Sequence, residues 1–270
     1  MGDAPVFTWP DACAPEGLQV EVLSEGDGRE VVSGAAVLAN YAGFVWGSDE
    51  PFDSSYDRGS PSLFSLEQVV AGWSQGIPGS TAGSRLLISI PPDLGYGPQG
   101  GNEAAGIGPT DTIVFVVDVV DTYDAASAGQ ADATPLEASD LPVSLEGDLG
   151  AAATLSIDAD APEPTEPAVY RVADGTGEPV AVGQTVAVNY TVSFWDGTSL
   201  ETSWSPGHGE DQAADEAESA AAGPLLAPLG QGTIFDLLEG VPVGSRVVLV
   251  APAADGSPAI GLVADVLGAG

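Results

Sequence analysis

QVVAGWSQGIPG, Gln68–Gly79, sets an indole, Trp73, among glycines and just behind two β-branched residues, Val69 and Val70. With the residues before it, LEQVVAGWSQ (Leu66–Gln75) is the one stretch of the first half that reads as a helix. A helix of that length is marginal in isolation, so its apolar side must rest on something larger. The neighbouring stretches say what that is. LQVEVL (18–23), AAVLANYAGFVW (35–46), RLLISIPP (85–92) and DTIVFVVDVV (111–120) are alternating or rich in β-branched and aromatic residues, and Gly, Pro or Asp bounds them. The fold class expected is α+β, a curved antiparallel β-sheet wrapped on one short α-helix.

The unit is written twice. GDGREVVSGAAVLANY (Gly26–Tyr41) aligns without a gap with GTGEPVAVGQTVAVNY (Gly175–Tyr190). FDSSY (52–56) then faces LETSW (200–204), and AGSRLLISIPP (82–92) faces VGSRVVLVAP (243–252), in the same order. Such ordered agreement implies duplication, and only two copies with full strand sets imply tandem globular domains rather than a solenoid. DAASAGQADATPLEAS (124–139) lacks an apolar period and is expected to be an exposed linker. The expected domains are therefore 1–123 with a core of 17–123, the linker 124–139, and 140–270.

Composition excludes several functions. The formal net charge is −35, with 40 acidic residues against five arginines and no lysine, so no run of phosphates could be neutralised and nucleic acid is not an expected partner. An anionic membrane surface would repel the chain for the same reason. The acidic runs SIDADAPEPTE (156–166) and GEDQAADEAE (209–218) lack the alternating ligands and central Gly of an EF-hand loop. A lone Cys13 rules out an internal disulfide, and a single His208 without paired ligands is a poor metal site, so neither metal nor cofactor is expected. The first residues show no leader pattern. The composition fits a secreted or cell-envelope protein whose leader lies outside this chain, or a cytoplasmic protein of a salt-adapted organism.

In order, VLANYAG, FDSSYDR, FSLEQVVAGWSQGIPG, IPPDLGYG and GPTDTIVFVVDVV closely resemble the FKBP-type peptidyl-prolyl cis-trans isomerases, across about Gly17–Tyr123. The resemblance implies that a substrate proline enters an apolar cup floored by Trp73. Tyr41, Phe64 and Phe115 would wall it, and Phe52 and Ile107 would line its edge. Gln68, Val69 and Val70 would meet substrate before the helix, the Val70 N–H binding a carbonyl. Tyr96 resembles the tyrosine whose hydroxyl holds a substrate carbonyl. Asp53 resembles the carboxylate facing the twisting amide, with Arg58 and Tyr41 as its partners. Three departures bear on substrate preference and macrolide affinity: Ser62 where an aromatic is usual, a longer loop over 98–108 with Gly106 in place of an aliphatic, and Ser80 in place of a Met.

The second unit has lost the site. Leu200 and Glu201 stand where Phe52 and Asp53 stood, Leu237 falls at the place of Trp73, and the tyrosine-bearing loop is absent after Pro252. It reads as a degenerate, non-catalytic copy carrying an acidic insertion over 206–223.

The chemistry implied needs no nucleophile. Rotation about a prolyl amide must cross a barrier of roughly 18–20 kcal/mol, because conjugation is lost at the orthogonal geometry. The expected activity is isomerisation of Xaa-Pro bonds in unfolded or extended polypeptides by a monomer, with macrolides of this class as candidate inhibitors. The alternatives are a non-enzymatic proline-segment-binding module or chaperone, and a surface protein that uses both folds as spacers.

Overall fold

The computed structural model describes residues 4–136, 141–158, 160–197, 200–204, 223–254 and 256–270. His208 and the acidic insertion up to residue 222 lie outside them. The chain divides into two compact units, one ending at Thr122 with Gly270 added, the other running from Tyr123 to Ala269.

The first unit comprises β1 (Gln19–Ser24), β2 (Ala36–Val45), β3 (Asp53–Ser54), α1 (Ser55–Arg58), β4 (Ser62–Ser65), α2 (Ala71–Gly76), β5 (Arg85–Ile90) and β6 (Ile113–Tyr123). Its strands form an antiparallel sheet in the order β1-β5-β6-β2-β3, with β4 also pairing to β2. Alternation sends Leu86, Ile88 and Ile90 of β5, and Phe115, Val117 and Val119 of β6, to one face, where they meet Trp73 and Ile77 in a single core. Gly72 sits flat on this layer, since a Cβ there would stand 2.5 Å from Ile90. The opposite face is covered near the N-terminus by Phe7 and Trp9, whose rings lie 4.9 Å apart and pack on Phe44 and Trp46.

The helix is shorter than its sequence suggests. Residues 66–69 form a turn, tied by Leu66 N–H to the Ala35 carbonyl and Gln68 N–H to the Ser65 carbonyl, and Val70 is extended (ψ 146°). The chain must still run alongside β2 there, which delays the helix to Ala71.

The second unit contains β7 (Thr134–Pro135), β8 (Ser144–Glu146), β9 (Thr154–Ser156), β10 (Ala168–Asp174), β11 (Thr185–Phe194), β12 (Leu200–Thr202), β13 (Leu225–Pro228), β14 (Arg246–Ala251) and β15 (Ile260–Ala269). Its main sheet runs β12-β11-β15-β14-β10-β7 with β13 also on β11, while β8 and β9 form a separate hairpin. Matched strand for strand, β10, β14, β15, β11 and β12 follow the order of β1, β5, β6, β2 and β3. A register shift recurs too, between Val22 and Ser24 in β1 and between Arg171 and Ala173 in β10.

Two expectations need correction here. The expected helix of the second unit is a 3-10 turn, Ile234–Leu238. Asp236 gathers the N–H groups of Gly230 and Gly232 at 2.7 Å, which holds the preceding chain in a tight loop, and Glu239 is already extended. Nor is the 124–139 stretch an exposed linker over its described part. Ser127 and Ala133 are buried, and Gly129 N–H donates to Asp265 at 2.8 Å. Its small residues let the backbone lie close against the sheet, and apolar periodicity cannot report that.

All five arginines are tied into ion pairs: Arg29 with Asp121, Arg58 with Asp53, Arg85 with Asp118, Arg171 with Asp174, and Arg246 with Asp265. Arg246 and Asp265 are 3% and 0% exposed, and Arg85 with Asp118 occupies the same register in the first sheet.

Candidate active site

Inward-facing Tyr41 of β2 and Phe115 of β6 stand over the start of α2, and β4 brings Phe64 opposite Val37. The four rings interlock edge to face. Trp73 lies 5.6 Å from Tyr41, 5.1 Å from Phe64 and 5.2 Å from Phe115, at interplanar angles of 88°, 74° and 79°. Phe52 closes on Phe115 at 5.5 Å and 88°. That contact requires Gly43, because a Cβ there would come within 2.5 Å of Phe115 and 2.6 Å of Phe52.

The rings enclose a cavity of about 410 Å³, completed by Asp53, Gln68, Val69, Val70, Tyr96 and Gln99. Trp73 is only 3% exposed, and its Nε1–H is buried without an acceptor among the described residues. An unsatisfied donor costs about 1–3 kcal/mol, which a plain core position would not be expected to carry. The Val70 carbonyl accepts from Trp73 and Ser74 N–H, while its own N–H makes no hydrogen bond among the described residues.

At the rim a carboxylate, a phenol and a guanidinium close a ring of hydrogen bonds. Tyr41 OH donates to Asp53 Oδ2, Arg58 Nη1 donates to Asp53 Oδ1 at 2.5 Å, and Arg58 Nη2 donates to Tyr41 OH at 2.8 Å. Local structure sets this up. Asp53 pairs with Gly43 across β3 and β2, and Ser55 Oγ, accepting from Tyr41 N–H at 2.8 Å, pins α1 to β2. The single turn of α1, ended by Gly59 at φ 76°, then returns Arg58 over Asp53. Arg58 Nη2 also donates to Ser62 Oγ at 3.2 Å, so Ser62 extends the polar rim.

Burial pushes Asp53 upward, but the hydrogen bonds from Tyr41 and Arg58 outweigh it and hold the carboxyl below its ordinary value. Burial first, and then the Asp53 carboxylate, push Tyr41 up to about 12. Tyr96 is raised by burial and then by the charge of Asp53. Near neutral pH the site therefore presents a carboxylate, protonated phenols and a guanidinium, an arrangement suited to orienting dipoles rather than transferring protons. Among the described residues no cluster of His, Cys, Asp or Glu is arranged to hold a metal.

Of the residues singled out from sequence, Tyr41, Phe52, Asp53, Phe64, Gln68, Val69, Val70, Trp73, Tyr96 and Phe115 converge on this cavity, and Arg58 reaches it through Asp53. Ile107 does not line it. It is 3% exposed in the core, bonded to Asn102 in both directions at 2.7 and 2.9 Å, because the longer loop turns back through that bridge. Gln99, in the 3-10 turn Gly97–Gln99 beside Tyr96, lines the cavity instead. Only its position three residues after Tyr96 in a Gly-rich loop could have marked it.

Residues 27–120 match the family described as FKBP-type peptidyl-prolyl cis-trans isomerase. The chain is 39% identical over 119 residues to a probable FK506-binding protein of Corynebacterium glutamicum, covering 44% of this chain and 98% of that one. It is 36% identical to the FK506-binding protein of Streptomyces anulatus, covering 44% and 96%. It is also 37% identical to the FKBP-type peptidyl-prolyl cis-trans isomerase FkpA of Escherichia coli, spanning 42% of that longer protein. The crystal structure of FkpA aligns with a TM-score of 0.36 at 36% identity, over 39% of this chain and 48% of that one. Through residues 27–120, the chain belongs to the FKBP-type peptidyl-prolyl cis-trans isomerase family.

Proposed function

We propose that the first unit isomerises Xaa-Pro bonds in unfolded or extended polypeptides, with the aromatic cavity as the seat of the reaction. The observation that carries this is the Trp73-floored cup with an ionised Asp53, clamped by Tyr41 and Arg58, at its rim. A twisted amide is less dipolar than a planar one, so a water-poor apolar cup favours it over the ground state. The Val70 N–H and the Tyr96 hydroxyl would fix the flanking carbonyls, which converts orientation into rate. A gain of a millionfold would need about 8 kcal/mol of differential stabilisation. Relatives named for FK506 binding support macrolides as competitors for the same cup.

The second unit is read as a degenerate, non-catalytic copy that holds clients. Its strand order supports the reading as a copy, as does Tyr190, whose hydroxyl meets Glu201 at 3.1 Å where Tyr41 meets Asp53. The 3-10 turn Ile234–Leu238 carries no indole; counting back from Gly240, whose N–H donates to the Val180 carbonyl at 2.8 Å as that of Gly79 does to Val31 at 2.9 Å, Ile234 rather than the expected Leu237 stands at the place of Trp73.

The test is exchange NMR on a short Xaa-Pro peptide with the full chain. Faster cis-trans exchange that is lost in Trp73→Leu is expected. Exchange at the uncatalysed rate would leave only a binding module.

A further inference from the structure

On the face of the first sheet opposite the cup lies a cavity of about 390 Å³, bounded by Ser24, Asn40, Gly83, Arg85, Asp118 and Val120. The equivalent place in the second unit is full, and what fills it is informative. Asn189 corresponds to Asn40, since each accepts through Oδ1 from a serine hydroxyl, Ser203 at 2.9 Å and Ser55 at 3.3 Å. Gly244 corresponds to Gly83, since each donates its N–H at 2.7 Å to the last strand of its sheet, Gly244 to Val266 and Gly83 to Val119.

Residues 124–130 cross this place in the second unit. Asn189 Nδ2 donates to the carbonyls of Asp124 and Ser127 at 2.9 and 2.7 Å, and Trp204 Nε1 donates to the Ser127 carbonyl at 2.9 Å. Gly129 N–H donates to Asp265 at 2.8 Å, and Gln130 N–H donates to the Gly244 carbonyl at 2.9 Å. Glycine is required at position 129, because a Cβ would stand 2.8 Å from that carbonyl.

In the first unit the same anchors face open space. Asn40 is 2% exposed and on the cavity wall, yet its Nδ2 makes no hydrogen bond among the described residues. A side-chain amide so placed, with one end locked by Ser55, is a built and unfilled donor. One difference shapes the occupant. Tyr56 stands in place of Trp204 and donates to Asp118 Oδ2 at 2.7 Å, taking the lone pair that Gly129 uses in the second unit. The remaining anchors are Asn40 Nδ2 and the Gly83 carbonyl.

We propose that this cavity is a second polypeptide-binding site, which takes a small-residue turn segment whose two carbonyls, three residues apart, share the Asn40 amide, followed by a glycine lying against Gly83. The occupant has the chemistry of DAASAGQ, in which Asp124 Oδ1 accepts from Ala126 N–H at 2.9 Å and Ser127 Oγ at 3.0 Å to make the turn. The site is independent of proline and of turnover in the cup.

The probe is the blocked peptide DAASAGQA, which contains no proline, titrated into the isotopically labelled full chain. We expect saturating shifts of the Asn40 side-chain amide and of Gly83–Arg85, with a dissociation constant on the order of 10⁻⁴–10⁻³ M. The peptide carrying Gly129→Val should bind at least about tenfold more weakly, a difference of 1.4 kcal/mol. Asn40→Asp, which keeps the acceptor for Ser55 and removes the donor, should weaken binding to the same degree. Trp73→Leu should leave it unchanged. No shifts at about 2 mM peptide, shifts confined to the cup, or equal binding of the valine peptide would each overturn the proposal. The valine peptide decides the matter even if Asn40→Asp does not fold.

Discussion

Replacing Phe115 by leucine, alongside Asp53→Asn, separates the oily wall from the charge at its rim. Phe115 makes three ring contacts, to Trp73 at 5.2 Å, Phe52 at 5.5 Å and Tyr41 at 6.4 Å. Each such pair contributes about 0.5–1.5 kcal/mol, so the loss to stability is roughly 1.5–4.5 kcal/mol. A domain stable by about 5–15 kcal/mol survives that, although assays belong well below the melting range. The leucine also strips one wall from the twisted amide. We expect about 1–2 kcal/mol less differential stabilisation, which is roughly a 5- to 30-fold fall in kcat/KM. Asp53→Asn keeps size and shape but loses the ion pair with Arg58, whose side chain is 46% exposed. Exposed pairs contribute about 0.2–1 kcal/mol, so turnover should fall less than about fivefold. Exchange NMR on an Xaa-Pro peptide measures both, with circular dichroism confirming the fold. If Asp53→Asn proved the more damaging change, electrostatics at the rim would dominate and the reasoning from burial would be wrong.

Other consequences can be checked directly. Tyr41 and Tyr56 are both pushed up to about 12, by burial and then by Asp53 and Asp118 respectively. Their contribution to stability is complete below the unfolded value near 10 and is lost as pH rises through about 12, so alkaline unfolding should accompany the late ultraviolet titration of these two phenols. Asp53 runs the other way. Its depressed value contributes stability above the ordinary carboxylate range, lost as pH falls through the folded value, and turnover should stay flat between about pH 6 and 9. Asp265→Ala would leave Arg246 buried and unpaired at a cost of about 3–5 kcal/mol, so calorimetry should show one transition lowered while Xaa-Pro turnover persists. Gly43→Ala would force Phe52 and Phe115 apart, reducing turnover with a smaller loss of stability, and retention of full activity would contradict the tight contact.

The sequence carried the strands well, because β2, β5 and β6 are each alternating or rich in β-branched and aromatic residues, with Gly, Pro or Asp at their bounds. It also carried the cup, since the rings and Asp53 sit inside ordered motifs. It did not carry the helix start, because Val69 and Val70 have a helical apolar spacing while tertiary bonds at Leu66 and Gln68 keep that segment a turn. The turn α1 escaped notice because four residues are too few for any period to register. Ile107 left its expected place on the cavity edge and Gln99 lines the cavity unexpectedly, because a long loop's return path depends on bridges such as Asn102 to Ile107, which spacing does not encode. The stretch 124–135 was misread for a related reason. It binds through backbone groups, and those leave no trace in side-chain pattern.

The matching of every guanidinium to an aspartate has a consequence for the solvent. With all cationic side chains already engaged, the net −35 is carried by acids that have no internal counter-charge, and the molecule is a polyelectrolyte. At low ionic strength those acids push one another apart, and expansion relieves them. Going from 0.1 to 1 M sodium chloride shortens the screening distance from about 10 to 3 Å, so the melting temperature should climb with added electrolyte even as individual bridges weaken. Dissolved cations thereby become a structural ingredient that the gene does not encode.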